Sequence, residues 1–132
     1  MKISAADRAL FDRLLRRMVE EDLPPDFREE LKQIPVLIED EPPPHILEEF
    51  GIDPGSQDAD LCGLHWGIPL DERSITESSF EPNAIFLYRG PIFRLVEWDA
   101  EELEEQIWIT LLHELGHHFG LSEEDLEELG YD

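Results

Sequence analysis

A chain of 132 residues with 41% hydrophobic content and no apolar run near the roughly 18 residues of a membrane span reads as one soluble globular domain, residues 1–132. Its 33 acidic against 10 basic residues, a formal charge of -23, exclude electrostatic capture of nucleic acid or of an anionic membrane and leave only a nucleic-acid mimic open on that side. The single cysteine, Cys62, makes no internal disulfide and the first ten residues hold no apolar signal segment, so a cytoplasmic location is expected.

The charge is uneven. Lys2, Arg8, Arg13, Arg16 and Arg17 crowd the N-terminal segment, and no Lys or Arg follows Arg94. A basic first helix is therefore expected to dock near the acidic C-terminal part, in a way that salt weakens.

In chain order, Ser4 with Asp7 three residues on is a capping-box start, and Leu10, Phe11, Leu14, Leu15 and Met18 form an apolar helical stripe. Pro24 and Pro25 end this helix after about residue 22. A short helical stretch around residues 27–33 precedes Val36-Leu37-Ile38, a first strand broken by Pro42-Pro43-Pro44. His45 reads as a turn or helix-start residue in one or two turns that end at Gly51, and residues 52–60 as a surface loop.

Gly63-Leu64-His65-Trp66 has the composition of an edge or bulged strand, weakened by Gly63, Gly67 and Pro69. Residues 71–82 are polar and read as a loop. Ala84-Ile85-Phe86-Leu87-Tyr88 is the strongest strand signal, and Arg89-Gly90-Pro91 is expected to turn it into a partner strand at residues 92–96.

Asp99, with Glu102 three residues later, opens a long helix over about residues 100–119. Leu103, Ile107, Trp108, Leu111, Leu112, Leu115 and Phe119 cover about half of its circumference, while Gln106, Thr110, His113 and His117 fall on the other side. Gly120 suits a left-handed helix end, and Ser122 with Asp125 starts a last helix over residues 123–129.

The long helix carries His113-Glu114-Leu115-Gly116-His117, an H-E-x-x-H pattern. Positions four apart lie about one turn apart on one face, so the two imidazoles can converge on one metal ion, while Glu114, about 100° round, can hold a water without being a ligand. Catalytic zinc takes three protein ligands and keeps one open position. Glu123 stands ten residues after His113, where the H-E-x-x-H-x-x-G-x-x-H pattern places its third His, which makes it the expected third ligand. Glu124 and Asp125 are the alternatives.

Taken together these segments resemble the minimal zincin-like, or minimal gluzincin-like, metallopeptidases of bacteria. The resemblance runs through Glu39-Asp40-Glu41-Pro42-Pro43-Pro44, Gly67-Ile68-Pro69-Leu70-Asp71-Glu72-Arg73, Ile85-Phe86-Leu87-Tyr88-Arg89 with Pro91-Ile92, and from His113-Glu114 to Leu129-Gly130. It implies an α+β fold with a small mixed sheet packed against the N-terminal helix and an active-site helix, and one catalytic zinc held by His113 and His117. Family members carry Asp or Ser where this chain has Glu123, whose side chain is longer than Asp by one methylene.

Zinc so held acidifies a water and polarises a carbonyl. Glu114 is then the general base that takes the water proton and passes it to the leaving nitrogen of a peptide or protein substrate. A strand edge, Gly63 to Trp66 or Ile85 to Tyr88, offers binding by β-addition. Tyr88, Tyr131 and His118 are candidates for the oxyanion, although packing or surface exposure is the stronger reading of each. Cys62 and His65 form a lone C-x-x-H that reads better as a buried thiol and a strand histidine, and Trp66, Trp98 and Trp108 as core or rim aromatics. The expected function is a zinc-dependent peptidase; the alternative is a metal-stabilised protein-binding module with weak or no hydrolysis.

Overall fold

The computed structural model describes residues 2–54, 61–67 and 83–131. The loop expected at 71–82, most of that at 52–60, and the part of the family resemblance at 68–73 lie outside the described residues.

Local signals set the helices. Ser4 and Asp7 close a reciprocal capping box at the start of α1 (Ala5–Arg17), which buries Phe11, Leu14 and Leu15 and passes through one π-helical turn (Met18–Asp22) before the prolines. Pro25 then opens α2 (Pro25–Glu30) and Pro44 opens α3 (Pro44–Glu49), both at first-turn positions where the missing N–H is no loss. His45 accordingly stands in the first turn of α3.

Three strands form a mixed sheet in the order β1-β3-β2. Here β1 is Val36–Glu39, β2 is Gly63–Trp66 and β3 is Ala84–Tyr88. The central β3 runs parallel to β1, with Val36 opposite Ile85, and antiparallel to β2, with Leu64 opposite Phe86. Of the two strands offered for β-addition, Ile85 to Tyr88 is thus excluded, since both of its edges are already paired. Among the described residues, the outer side of β2 has no strand neighbour.

The strand expected at residues 92–96 is a helix. The chain leaves β3 directly into α4 (Arg89–Leu95), with Pro91 in the first turn. Ile92, Phe93 and Val96 are all buried, a helical spacing that strand alternation does not produce. Gly90 is required at this corner: its N–H donates to the Asp40 carbonyl at 2.8 Å, and a Cβ would collide with that carbonyl and the Glu41 side chain.

The longest helix among the described residues is α5 (Ala100–His118), whose start is capped by the Asp99 carboxylate on the Glu102 N–H at 2.9 Å. Leu103, Ile107, Leu111, Leu112 and Leu115 pack with Phe11 and Met18 of the N-terminal segment, Ile85 and Leu87 of β3, and Ile92 and Phe93 of α4. The other face of the sheet carries a smaller cluster of Ile46, Leu64 and Tyr88. A last helix, α6 (Glu123–Leu129), follows a turn.

The N-terminal helix does lie against α5, and Arg17 pairs with Glu104 there, whereas Arg8 reaches Asp40 at the end of β1. Its docking is chiefly apolar, through Phe11, Leu14 and Leu15, with exposed ion pairs of Arg8 and Arg17 that contribute little and one part-buried pair between Asp12 and Arg89. Salt sensitivity is therefore expected to be smaller than the charge pattern alone implies.

Candidate metal centre

The H-E-x-x-H segment occupies the last two turns of α5, and the chain then doubles back. Phe119 ends the helix, Gly120 takes a left-handed φ of 92°, and the Leu121 N–H bonds the Gly116 carbonyl at 2.9 Å. Ser122 and Asp125 form a second capping box, so α6 starts at Glu123. The two helices meet at Gly116, where an added Cβ would overlap the fully buried Leu126. That close approach carries Glu123 onto the two histidines.

Each imidazole is oriented by a backbone carbonyl. His113 Nδ1 lies 2.6 Å from the Tyr131 carbonyl oxygen and His117 Nδ1 lies 3.3 Å from that of Leu121. A carbonyl only accepts, so both Nδ1 atoms carry the proton, and in the neutral rings both Nε2 atoms present lone pairs. Those Nε2 atoms are 3.1 Å apart, and Glu123 Oε1 stands 2.8 Å from His117 Nε2 and 3.4 Å from His113 Nε2. Three electron-pair donors thus converge on one point. His113, Glu114 and His117 likewise offer ligand atoms within 4.8 Å of one another, a group able to hold a metal ion.

Glu114 sits between α5 and the edge strand, and is only 6% exposed. Gly63 of β2 makes this possible: a Cβ there would be 2.7 Å from Thr110 Cγ2 and 3.2 Å from Glu114 Cγ. Thr110, expected on the open side of the helix, is buried under the same strand. Burial pushes the Glu114 carboxyl up to about 7, against the pull of His113 and with a further push from the Glu123 charge. Its Oε2 has no hydrogen-bond partner among the described residues.

The alternatives to Glu123 are differently placed. The Asp125 carboxylate accepts the Ser122 N–H at 3.0 Å, and that backbone hydrogen bond holds it below the usual carboxylate range. Glu124 is exposed beside it.

The oxyanion candidates are not on the cleft. Tyr88 is buried on the far face of the sheet, its phenol pushed up to about 12 by burial and then by the charges of Glu39 and Glu114. Tyr131 packs its ring on the core and serves the centre through its carbonyl instead. His118 is 0% exposed, with Nε2 bonded to Glu30 Oε1 at 2.7 Å and Nδ1 facing the Asn83 side-chain nitrogen at 3.4 Å. Asn83 Oδ1 in turn meets His65 Nε2 at 2.9 Å, which ties the edge strand to α5 and makes His65 a strand histidine.

A cavity of about 470 Å³ opens over the centre, with Cys62, Gly63 and His65 on one wall and Gln106, Thr110, His113 and His117 on the other. Sequence reasoning noticed Gly63 only as a weak point in a strand and Gly116 not at all; their signal, small residues inside regular elements, is that of close backbone approach. A protein-family model described as zincin-like metallopeptidase matches residues 31–131. No curated protein matches the chain.

Proposed function

The chain belongs to the zincin-like metallopeptidases, and from that premise we propose that it is a zinc-dependent peptidase in which His113, His117 and Glu123 hold the metal and Glu114 is the general base. The donor set fits zinc. Two imidazole nitrogens and one carboxylate oxygen are a known catalytic combination, and two nitrogens at bonding distance in a tetrahedron are about 3.3 Å apart, close to the 3.1 Å found between the Nε2 atoms. Among the described residues, no helix is long and apolar enough to cross a membrane. A formal charge of -23 favours a peptide or protein partner over nucleic acid or membrane, and one cysteine fits a reducing compartment, the cytoplasm.

Zinc in such a set supplies Lewis acidity, acidifying a water and polarising a carbonyl. The protein does the rest. Glu114, buried and with Oε2 unpartnered among the described residues, accepts the water proton at that oxygen and delivers it to the leaving peptide nitrogen. The Tyr131 and Leu121 carbonyls keep both histidines in the tautomer that leaves Nε2 as ligand. The outer edge of β2, running above Glu114, takes the substrate backbone in extended form.

The observation that carries this reading is the buried Glu114 oxygen, without a hydrogen-bond partner among the described residues, beside the converging Nε2 pair, because a purely structural zinc site has no use for a buried base. Glu114→Gln separates the functions. Retained zinc by mass spectrometry with peptide hydrolysis lost is expected; equal hydrolysis by variant and parent would overturn the role of Glu114. Zinc binding without hydrolysis in either would make the chain a metal-stabilised binding module.

A further inference from the structure

A chain of hydrogen bonds that takes no part in holding the metal crosses the protein from α2 to β2. Glu30, the last residue of α2, accepts from His118 Nε2 at 2.7 Å. A carboxylate only accepts, so in the neutral ring His118 Nδ1 is itself an acceptor, and it faces the Asn83 side-chain nitrogen at 3.4 Å. Asn83 Oδ1 then accepts from His65 Nε2 at 2.9 Å. One carboxylate thereby fixes two imidazole tautomers and the orientation of the amide between them. The chain is shielded from water, with His118 0% exposed and the Glu30 side chain 17%. It is also sterically prepared: Gly67, directly after β2, has a φ of 136°, and a Cβ there would stand 2.5 Å from Asn83 Oδ1 and 3.1 Å from Asn83 Cα.

His65 is where this chain meets the cleft. The Tyr88 N–H donates to the Cys62 carbonyl at 2.9 Å, beside the Gly63–Leu87 pair. Antiparallel pairing alternates, so the N–H and C=O of Leu64 turn towards β3, while those of Gly63 and His65 turn outward, to the side that has no strand neighbour among the described residues. The Ile85 N–H agrees, since it turns away from β2 to the Pro35 carbonyl at 2.9 Å. On their α5 side the same two residues are fixed: Gly63 lies against Glu114, and the His65 ring meets that of His118 at 5.3 Å. The strand itself is only four residues long, with glycine at its start and directly after its end, a composition that specifies register weakly. The ring of His65 supplies the anchor that the backbone lacks.

Resting on the peptidase reading, we propose that Asn83 and His118 are positioning residues for the substrate: through the His65 ring they hold the outward backbone groups of Gly63 and His65 where an extended peptide pairs with them. Neither residue is a ligand or reaches the reacting atoms. Their loss therefore weakens the binding of substrate and transition state alike, which raises KM and leaves kcat in place.

Quenched fluorescent peptides cleaved by the zinc-loaded parent provide the assay. In Asn83→Ala, KM is expected to rise about tenfold, with kcat within about twofold and zinc affinity unchanged. Asn83→Asp keeps the acceptor for His65 and is expected to recover much of the loss. Glu30→Ala, at the less buried end of the chain, guards against misfolding of the central variant and should move KM the same way, with circular dichroism as the check on folding. An unchanged KM in the folded variants, or an aspartate variant no better than alanine, overturns the positioning role and leaves the peptidase reading intact. So does a matching fall in kcat or zinc affinity, which would mean that the network acts through the metal helix. Should the parent cleave nothing, the peptidase reading fails, and calorimetric binding of the same peptides to the zinc-loaded protein decides. Binding about tenfold weaker in Asn83→Ala than in the parent supports the positioning role; equal binding, or none to the parent, overturns it.

Discussion

Leu126 of α6 packs so closely on Gly116 of α5 that a side chain at 116 would displace it, and this contact lies next to the turn that brings Glu123 to His113 and His117. Gly116→Ala is expected to push α6 outward. Overpacking destabilises by about 1–3 kcal/mol, and displacement of Glu123 should weaken zinc binding on the order of tenfold. Chelator competition and thermal unfolding measure the two effects; unchanged zinc affinity would show that the contact does not control the centre.

Glu123→Ala and Asp125→Ala should behave differently although the residues are two apart. Glu123 is 71% exposed by its side chain yet has Oε1 against both Nε2 atoms, so its loss is expected to weaken zinc on the order of a hundredfold. Asp125 serves the capping box, so its removal should lower the melting temperature and leave zinc affinity intact. The reverse pattern in a zinc titration would move the third ligand to Asp125.

Glu114 makes the metal-free protein sensitive to pH. Its carboxyl is raised from 4.5 to about 7 by burial, so the folded state holds that proton more tightly than the unfolded chain does. This contribution is fully present below the unfolded value and lost as pH rises through the folded one. In chelator-treated protein, the stability of the parent relative to Glu114→Gln is expected to fall by roughly 3 kcal/mol between about pH 4.5 and 7. Urea denaturation across that range measures it, and a flat or rising difference would contradict the burial.

His118 should matter for folding without touching the metal. His118→Leu removes the donor that Glu30 meets at 2.7 Å and breaks the connection through Asn83 to His65. A loss of about 2–4 kcal/mol with zinc stoichiometry unchanged is expected from denaturation and metal analysis. Loss of zinc from the folded variant would instead implicate His118 in the centre.

Much of the site is local, and local chemistry is legible. The i, i+4 spacing of His113 and His117, the caps at Ser4, Asp99 and Ser122, and the left-handed turn at Gly120 each depend on residues within a turn or two of one another. Residues 92–96 misled because a short apolar run after a strand suits a hairpin as well as a helix. Only packing of Ile92 and Phe93 against Phe11 and α5 separates the two.

The sequence by itself determined the H-E-x-x-H pattern, the helix that presents it and the turn after it, because these follow from periodicity and capping, while the α+β class came from the resemblance to a family. Tertiary structure alone decided that Glu114 is buried beneath Gly63, that the carbonyls of Tyr131 and Leu121 hold the imidazoles, and that Leu126 on Gly116 brings Glu123 within 2.8 Å of His117. The physical reason is reach. Hydrogen-bonded turns constrain neighbours in sequence, whereas desolvation and close packing act between elements far apart in the chain, and it is those that set a buried carboxylate beside the histidine pair.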